Sequence, residues 1–301
     1  MKVLVTGASG FLGRHALASL ARHGIPTVAV GRRAVPGHEA VACDLLMERD
    51  LGARLADLGA THLLHLAWYT EPGRYWTSPF NLRWLEASVR LVEAFCGAGG
   101  RHVVIAGTCA EYDWSYAYCR EDSTPLNPAT LYGSAKDALR RVATAACRQQ
   151  GVSCAWGRVF FPYGSGEPPQ RLISTLIEVF LKKRPPVAVN AKVWRDFVHV
   201  SDVAEAFTAL LCNEATGDWN ISSGQPMQIA EVVTEVARLL QVDPRVVLDL
   251  PAERPEEAPF LVGDNRKLTG LGWRPSTGFV EGVSQMLQPP CPAVPNRRER
   301  A

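Results

Sequence analysis

Lys2-Val3-Leu4-Val5-Thr6-Gly7-Ala8-Ser9-Gly10-Phe11-Leu12-Gly13 decides how the rest of the chain is read. The β-branched run from Lys2 to Thr6 predicts a short strand, the glycines a tight turn, and the amphipathic pattern continuing to about Arg22 a helix. Strand, glycine turn and helix in that order let a backbone approach a pyrophosphate held at a positive helix N-terminus. Gly7, Ser9, Gly10, Phe11, Leu12 and Gly13 are therefore candidate dinucleotide contacts. The plain alternative is a tight βα turn with no ligand.

Working outward, a strand at Thr27 to Val30 ends in Gly31-Arg32-Arg33. An acid near this point hydrogen-bonds a ribose 2′-hydroxyl, whereas arginine accommodates a 2′-phosphate. Arg32 and Arg33, with no acid beside them, favour NADP, with NAD possible; a solvated basic turn is the other reading. Further strands are expected into Val41-Ala42-Cys43-Asp44, at His62 to Leu66 and at His102 to Ala106, and helices near Glu48 to Leu58 and Pro79 to Cys96. That alternation predicts an α/β fold, a doubly wound parallel sheet (Rossmann fold), with ligands beyond the carboxyl ends of the strands. Asp44, Leu45, Leu66, Ala67, Trp68, Gly107 and Thr108 fall at such ends.

Residues 1–164 are read as the dinucleotide-binding domain and 165–288 as a smaller C-terminal α/β lobe. Within the second half, Val152 to Arg158 and a stretch of about 187–211, including a helix from Ser201 to Leu211, are expected to return to the main sheet. Trp219 to Gly224 reads as a strand end and turn of the lobe. The tail 289–301, with its prolines and Arg297-Arg298-Glu299-Arg300, reads as disordered.

Leu131-Tyr132-Gly133-Ser134-Ala135-Lys136 opens another predicted helix, to about Arg148. At i, i+4 the phenol and the ammonium share a face, and a nearby lysine charge lowers a tyrosine's affinity for its proton. Tyr132 is thereby a candidate acid or base, against the alternative of an ordinary amphipathic helix.

Composition narrows the function. Over 301 residues the charge is +2, with 32 basic and 30 acidic side chains, which gives no reason to propose a nucleic-acid partner. Eight cysteines without Cys-x-x-Cys spacing point to free thiols in a reducing compartment. No apolar run approaches bilayer length and the N-terminus is unlike a signal peptide, so a cytoplasmic protein with no membrane partner is expected.

Taken together, Thr6 to Gly13, His65-Leu66-Ala67, Thr108, Tyr132 and Lys136, Pro162-Tyr163-Gly164, Arg195 to Asp202, Asn220-Ile221 and Leu271-Gly272-Trp273 resemble the extended short-chain dehydrogenase/reductase superfamily. The resemblance is to its branch of nucleotide-sugar epimerases, dehydratases and reductases. It implies that Thr108 bonds the substrate oxygen, that Tyr132 is the acid/base, and that Lys136 holds the nicotinamide ribose and keeps the tyrosine acidic. Asp44 would contact adenine, and Arg195 and Arg254 would face the diphosphate of a nucleotide sugar. For Arg254 a solvated position in an acidic, proline-rich loop is the alternative. Trp68 and Tyr112 are placed at the sugar, although Trp68 serves core packing equally well.

Hexose 4,6-dehydratases of the family carry an Asp-Glu pair after the threonine; here Cys109 and Ala110 stand there, which disfavours elimination of water. Glu111, one place on, would point away if the strand continued. The leading expectation is an NADP-dependent reductase of a nucleotide-activated keto-deoxysugar, plausibly a 4-keto-6-deoxyhexose, with Tyr132 as proton donor. An NAD(P)-dependent epimerase is the alternative, and a non-catalytic dinucleotide-binding protein the third reading. By the same resemblance, the helices from Pro79 and Leu131 would form a homodimer interface, with Leu82, Leu85, Val89 and Val92 as its apolar positions.

Overall fold

The computed structural model describes residues 1–250, 252 and 257–288. In chain order, β1 (Val3–Thr6), α1 (Phe11–Arg22), β2 (Thr27–Gly31), β3 (Glu39–Ala42), α2 (Leu51–Ala56), β4 (His62–His65), α3 (Phe80–Gly97) and β5 (His102–Thr108) form the first half. Then come β6 (Tyr118–Cys119), α4 (Leu131–Gln149), β7 (Ser153–Val159), β8 (Phe161–Tyr163), α5 (Leu172–Phe180), β9 (Trp194–His199) and α6 (Val200–Cys212). The chain continues through β10 (Gly217–Ile221), β11 (Pro226–Gln228), α7 (Ile229–Leu240), α8 (Arg245–Leu248), β12 (Phe260–Gly263), α9 (Arg266–Gly270) and α10 (Phe279–Leu287).

Seven strands make one parallel sheet in the order β10-β7-β5-β4-β1-β2-β3. Because the order reverses at β1, the carboxyl ends of β1 and β4 open a crevice there. Alternation along β1 serves both faces: Val3 and Val5 pack with Leu17, Leu20, Phe207 and Leu210 under α1 and α6, and Leu4 packs with Leu91, Phe95 and Leu139 under α3 and α4. Each such fully buried side chain contributes about 1.5–3 kcal/mol. A second sheet, β11-β9-β12-β6 with β8 beside β9, carries the lobe. Its core joins Ile173 and Leu176 of α5, Val232, Val233 and Val236 of α7, and Val283 of α10.

Two placements correct the reading of the sequence. Trp219-Asn220-Ile221 belongs to β10, the seventh strand of the main sheet, where Ile221 pairs in register with Val159. Trp219 and Ile221 bury against the same core as α6, covering an edge of β7 that would otherwise lie open. Conversely, 187–211 does not return as a unit: β9 stays in the lobe sheet and only α6 crosses to cover the main sheet. In α3, Val92 is buried in the core, Leu85 and Val89 pack against it, and Leu82 alone of the four stands well exposed, at 54%. The described cysteines are free thiols; Cys96 Sγ and Cys147 Sγ lie 3.9 Å apart in the core. The tail 289–301 lies outside the described residues.

A fully buried ion pair lies beneath the end of β5. Arg158 Nε of β7 donates to Glu111 Oε2 at 2.7 Å, its Nη2 to Asp218 Oδ2 of β10 at 2.8 Å, and its Nη1 to the Tyr112 hydroxyl at 3.2 Å. Glu111 also accepts from Trp156 Nε1 and from the Thr108 amide, at 2.8 Å. Burial pushes the Glu111 carboxyl up and the Arg158 charge pulls it back. Replacing Arg158 by Met strands a buried carboxylate and should cost about 3–5 kcal/mol in denaturant unfolding, whereas the paired Glu111→Leu, Arg158→Met variant should cost less than Arg158→Met alone. A smaller loss in the single variant than in the pair would contradict this account.

Candidate active site

A cavity of about 1060 Å³ runs along the carboxyl ends of the main sheet and up to the lobe. At one end Gly7, Ser9, Gly10, Phe11, Leu12 and Gly13 line it together with Arg32, Arg33, Asp44 and Leu45. Gly7 adopts φ +69°, and a Cβ there would stand 2.7 Å from the Ala67 amide, so glycine is what lets the turn pass so close to the end of β4. The N-cap of α1 is Gly10, with no capping side chain and no acid in the first turn, so amides at the positive helix end remain for an anion. These features fit the pyrophosphate of a nicotinamide dinucleotide.

Behind the turn, hydrogen bonds run one way. The Ala67 amide donates to Thr6 Oγ1 (3.3 Å), which lies 2.6 Å from His65 Nδ1; His65 Nε2 lies 2.8 Å from Ser88 Oγ, which donates to the Trp84 carbonyl (2.6 Å). Since Ser88 spends its proton on Trp84, the imidazole must donate from Nε2 and accept at Nδ1. Burial, aided by the Lys136 charge, pushes His65 down to about 3, so it stays neutral and holds Leu66 and Ala67 at the cavity wall.

At the middle of the cavity Thr108, Tyr132 and Lys136 come together. α4 starts here because Thr130 caps it, accepting from the Gly133 amide at 3.1 Å. Gly133 lets that first turn press on the Ala110 carbonyl, with no room for a side chain. The Tyr132 amide donates to the Trp76 carbonyl at 3.1 Å, and its ring meets Tyr75 edge-on at 4.9 Å. Lys136 Nζ donates to the Ala106 carbonyl at 2.8 Å and lies 3.9 Å from the Trp68 ring centroid.

Electrostatics here depart from the expectation drawn from spacing. Burial raises Tyr132 well above the usual tyrosine range, Tyr75 adds to the rise, and a hydrogen bond with the Thr108 side chain works against it. Lys136 is itself brought down to about 7 by burial, with Glu111 opposing, so burial outweighs the pairing in both groups. Without ligands the phenol is a neutral donor.

On the lobe side Arg195 reaches the cavity but is engaged: Nη2 donates to Glu257 Oε1 at 2.8 Å, and Nη1 to the Trp194 and Ala258 carbonyls at 2.8 Å each. Two charged or aromatic neighbourhoods meet around the central residues, one from the loop after β4 and one from the segment after β8.

A family model described as NAD dependent epimerase/dehydratase matches residues 3–222. The chain belongs to that family. As an epimerase/dehydratase family member it is 26% identical to the UDP-glucose 4-epimerase of Azospirillum brasilense, over 94% of this chain and 89% of that protein. It is 23% identical to the CDP-abequose synthase of Salmonella typhimurium, over 95% and 97%. Among solved structures, MoeE5 in complex with UDP-glucuronic acid and NAD superposes with a TM-score of 0.84 at 30% identity, covering 95% of this chain and 98% of that one. No described helix is long and apolar enough to cross a membrane.

Most residues singled out from the sequence line this one cavity, and Tyr112 does not. Its ring is 1% exposed and its hydroxyl donates to Asn220 Oδ1 at 2.8 Å while accepting from Arg158, so it belongs to the buried network and not to the sugar. The reason is that β5 stops at Thr108 and a 3-10 turn, Cys109–Glu111, swings the next side chains inward. Glu111 goes with them, away from the cavity, and no carboxylate takes the dehydratase position. Trp68 lines the cavity and also packs on the core, its Nε1 donating to Asn81 Oδ1 at 2.9 Å. Arg254 lies outside the described residues.

Sequence reasoning passed over Tyr75, Trp76, Phe160, Phe161, Glu167 and Arg171, all of which line the cavity. A signal existed for the first two: Trp68-Tyr69 and Tyr75-Trp76 crowd four aromatic residues into the loop beyond a strand end.

Lys136 also gives a pH test. Its native value of about 7 lies below the ordinary 10.5, so its contribution to stability is fully present above pH 10.5 and is lost as pH falls through about 7. Melting temperatures of the ligand-free protein should therefore rise relative to Lys136→Met between pH 7 and 10.5 and run parallel below pH 7; a wild-type melting temperature that stays level or falls relative to Lys136→Met over that range would contradict the assignment.

Proposed function

We propose that the chain epimerises the sugar of a uridine diphosphate sugar by removing hydride from one secondary alcohol and returning it to the opposite face. The observation that carries this reading is the meeting of Thr108, Tyr132 and Lys136 at mid-cavity, with Cys109 and Ala110 where an eliminating enzyme needs acids. A bound nicotinamide supplies the hydride acceptor and donor. Tyr132 would lose its proton more readily beside the positive nicotinamide ring of a bound oxidised cofactor, so that the phenolate takes the hydroxyl proton as the carbon is oxidised and gives it back on reduction; Thr108 holds the same oxygen, and Lys136 orients the cofactor-side hydroxyls. The net change is an isomerisation that consumes no cofactor.

Epimerisation comes ahead of reduction because MoeE5, at 30–32% identity, has been solved with NAD and either UDP-glucuronic acid or UDP-glucose, sugars that present alcohols and no ring ketone. Arg171 supports an acidic sugar: Nη2 donates to the Pro162 carbonyl at 3.0 Å, Glu167 stands off at 3.8 Å, and Nη1 has no partner among the described residues. A guanidinium with spare donors suits a carboxylate, so UDP-glucuronic acid is the first substrate to try.

Purified protein should convert UDP-glucuronic acid or UDP-glucose with no cofactor added, and Tyr132→Phe should lower turnover by about 10²–10⁴-fold while the bound dinucleotide is retained. A fully active Tyr132→Phe would defeat the proposal.

A second reading, an NADP-dependent reductase of a nucleotide-linked keto-sugar, is favoured by Arg32 and Arg33, which line the cavity where an acid would contact a ribose hydroxyl. Stoichiometric oxidation of NADPH with a 4-keto-6-deoxysugar, weakened at least about tenfold by Arg32→Ala with Arg33→Ala, would make it the better account. Indifference to the 2′-phosphate would remove its support.

A further inference from the structure

The loop between β4 and α3 is fastened at both ends of a short turn. Buried Asn81 donates from Nδ2 to the Tyr75 carbonyl at 2.7 Å and to the Ser78 carbonyl at 2.9 Å, while the Tyr75 amide donates to the Glu71 carbonyl at 3.1 Å. The next carbonyl, that of Trp76, receives the Tyr132 amide, so the loop is bonded to the first turn of α4. Tyr75 therefore stands in a fixed position, stacked on Trp76 at 4.4 Å and edge-on to Tyr132.

Its hydroxyl is the unusual part. Tyr112 bonds Asn220 and Arg158 and Tyr69 bonds Glu71, while Tyr116 and Tyr118, without partners among the described residues, are exposed to solvent. The Tyr75 hydroxyl has no hydrogen-bond partner among the described residues, lines the cavity, and is not sealed among the orphaned buried atoms. Tyr75 is half-buried, and a phenol without a protein partner at a cavity wall is free to donate to a ligand. Burial raises its proton affinity, which keeps it a donor, against a smaller opposing effect of the Arg171 charge.

We propose that Tyr75 positions the substrate, its phenol donating to one ring hydroxyl of the sugar while Tyr132 works on the neighbouring carbon. This rests on the reading of the chain as a nucleotide-sugar enzyme.

The test is calorimetric binding of UDP, UDP-glucose and a set of monodeoxy UDP-glucoses to the protein and to Tyr75→Phe, with kcat and KM where turnover occurs. Tyr75→Phe should weaken UDP-glucose about tenfold, leave UDP and the melting temperature unchanged, and leave one deoxy sugar bound as by the wild type. An unchanged affinity for UDP-glucose, an equal loss for UDP, or an equal loss for every deoxy sugar would overturn the proposal. Absence of turnover in the wild type would count against the enzymatic reading, and the binding comparison would still judge Tyr75.

Discussion

The site depends on a charge pair that no substrate touches. Glu111 and Arg158 are both completely buried, and the carboxylate holds the Thr108 amide while the guanidinium ties β7 to Asp218 of β10. A buried pair of this kind adds little net stability over a well-packed apolar substitute. Its value is directional: it ends β5 at a definite residue and turns the chain, so that Thr108 faces the cavity while Glu111 and Tyr112 point into the interior. Through Tyr112 and Asn220 the same network reaches the Cys119 and Asp264 carbonyls beside the lobe sheet. One set of polar contacts thereby aligns the floor of the cavity and the lobe sheet.

Much of this was legible in the chain. The glycine turn at Gly7, the βα alternation and the Tyr132, Lys136 spacing all name local geometry, and local geometry is what side-chain type and period encode. What escaped was long-range. Five residues of β10 have the pattern of any short strand, and only the open edge of β7, formed some sixty residues earlier (Gly217↔Ala155), decides which sheet they join. Tyr112 looked like a sugar contact because it comes soon after Thr108, yet a 3-10 turn reverses its direction. The loop holding Tyr75 and Trp76 shows its aromatic crowding in the sequence, but its placement against α4 comes from the Trp76 carbonyl that receives the Tyr132 amide.

Burial also changes what the recognised residues do. Spacing puts an ammonium one turn from a phenol, which in water would make the phenol more acidic. In the folded chain the wall of Tyr75, Trp76 and Trp68 removes the solvent, and both groups drift toward neutrality. The protein's own side chains thus place few charges at the centre of the site. Charge enters with the ligands, which is when an active-site proton has work to do.

β10 has a consequence for how the protein is made. During synthesis β7 emerges with its outer edge bare, and more than fifty residues, lobe segments and α6 among them, must be added before Gly217 to Ile221 can pair with it. A ribosome needs several seconds for that stretch. Through that interval Arg158 waits without Asp218, and Tyr112 without Asn220. The main sheet therefore cannot be completed before Ile221 has been made, and until then the nascent polypeptide carries an exposed strand edge open to mispairing.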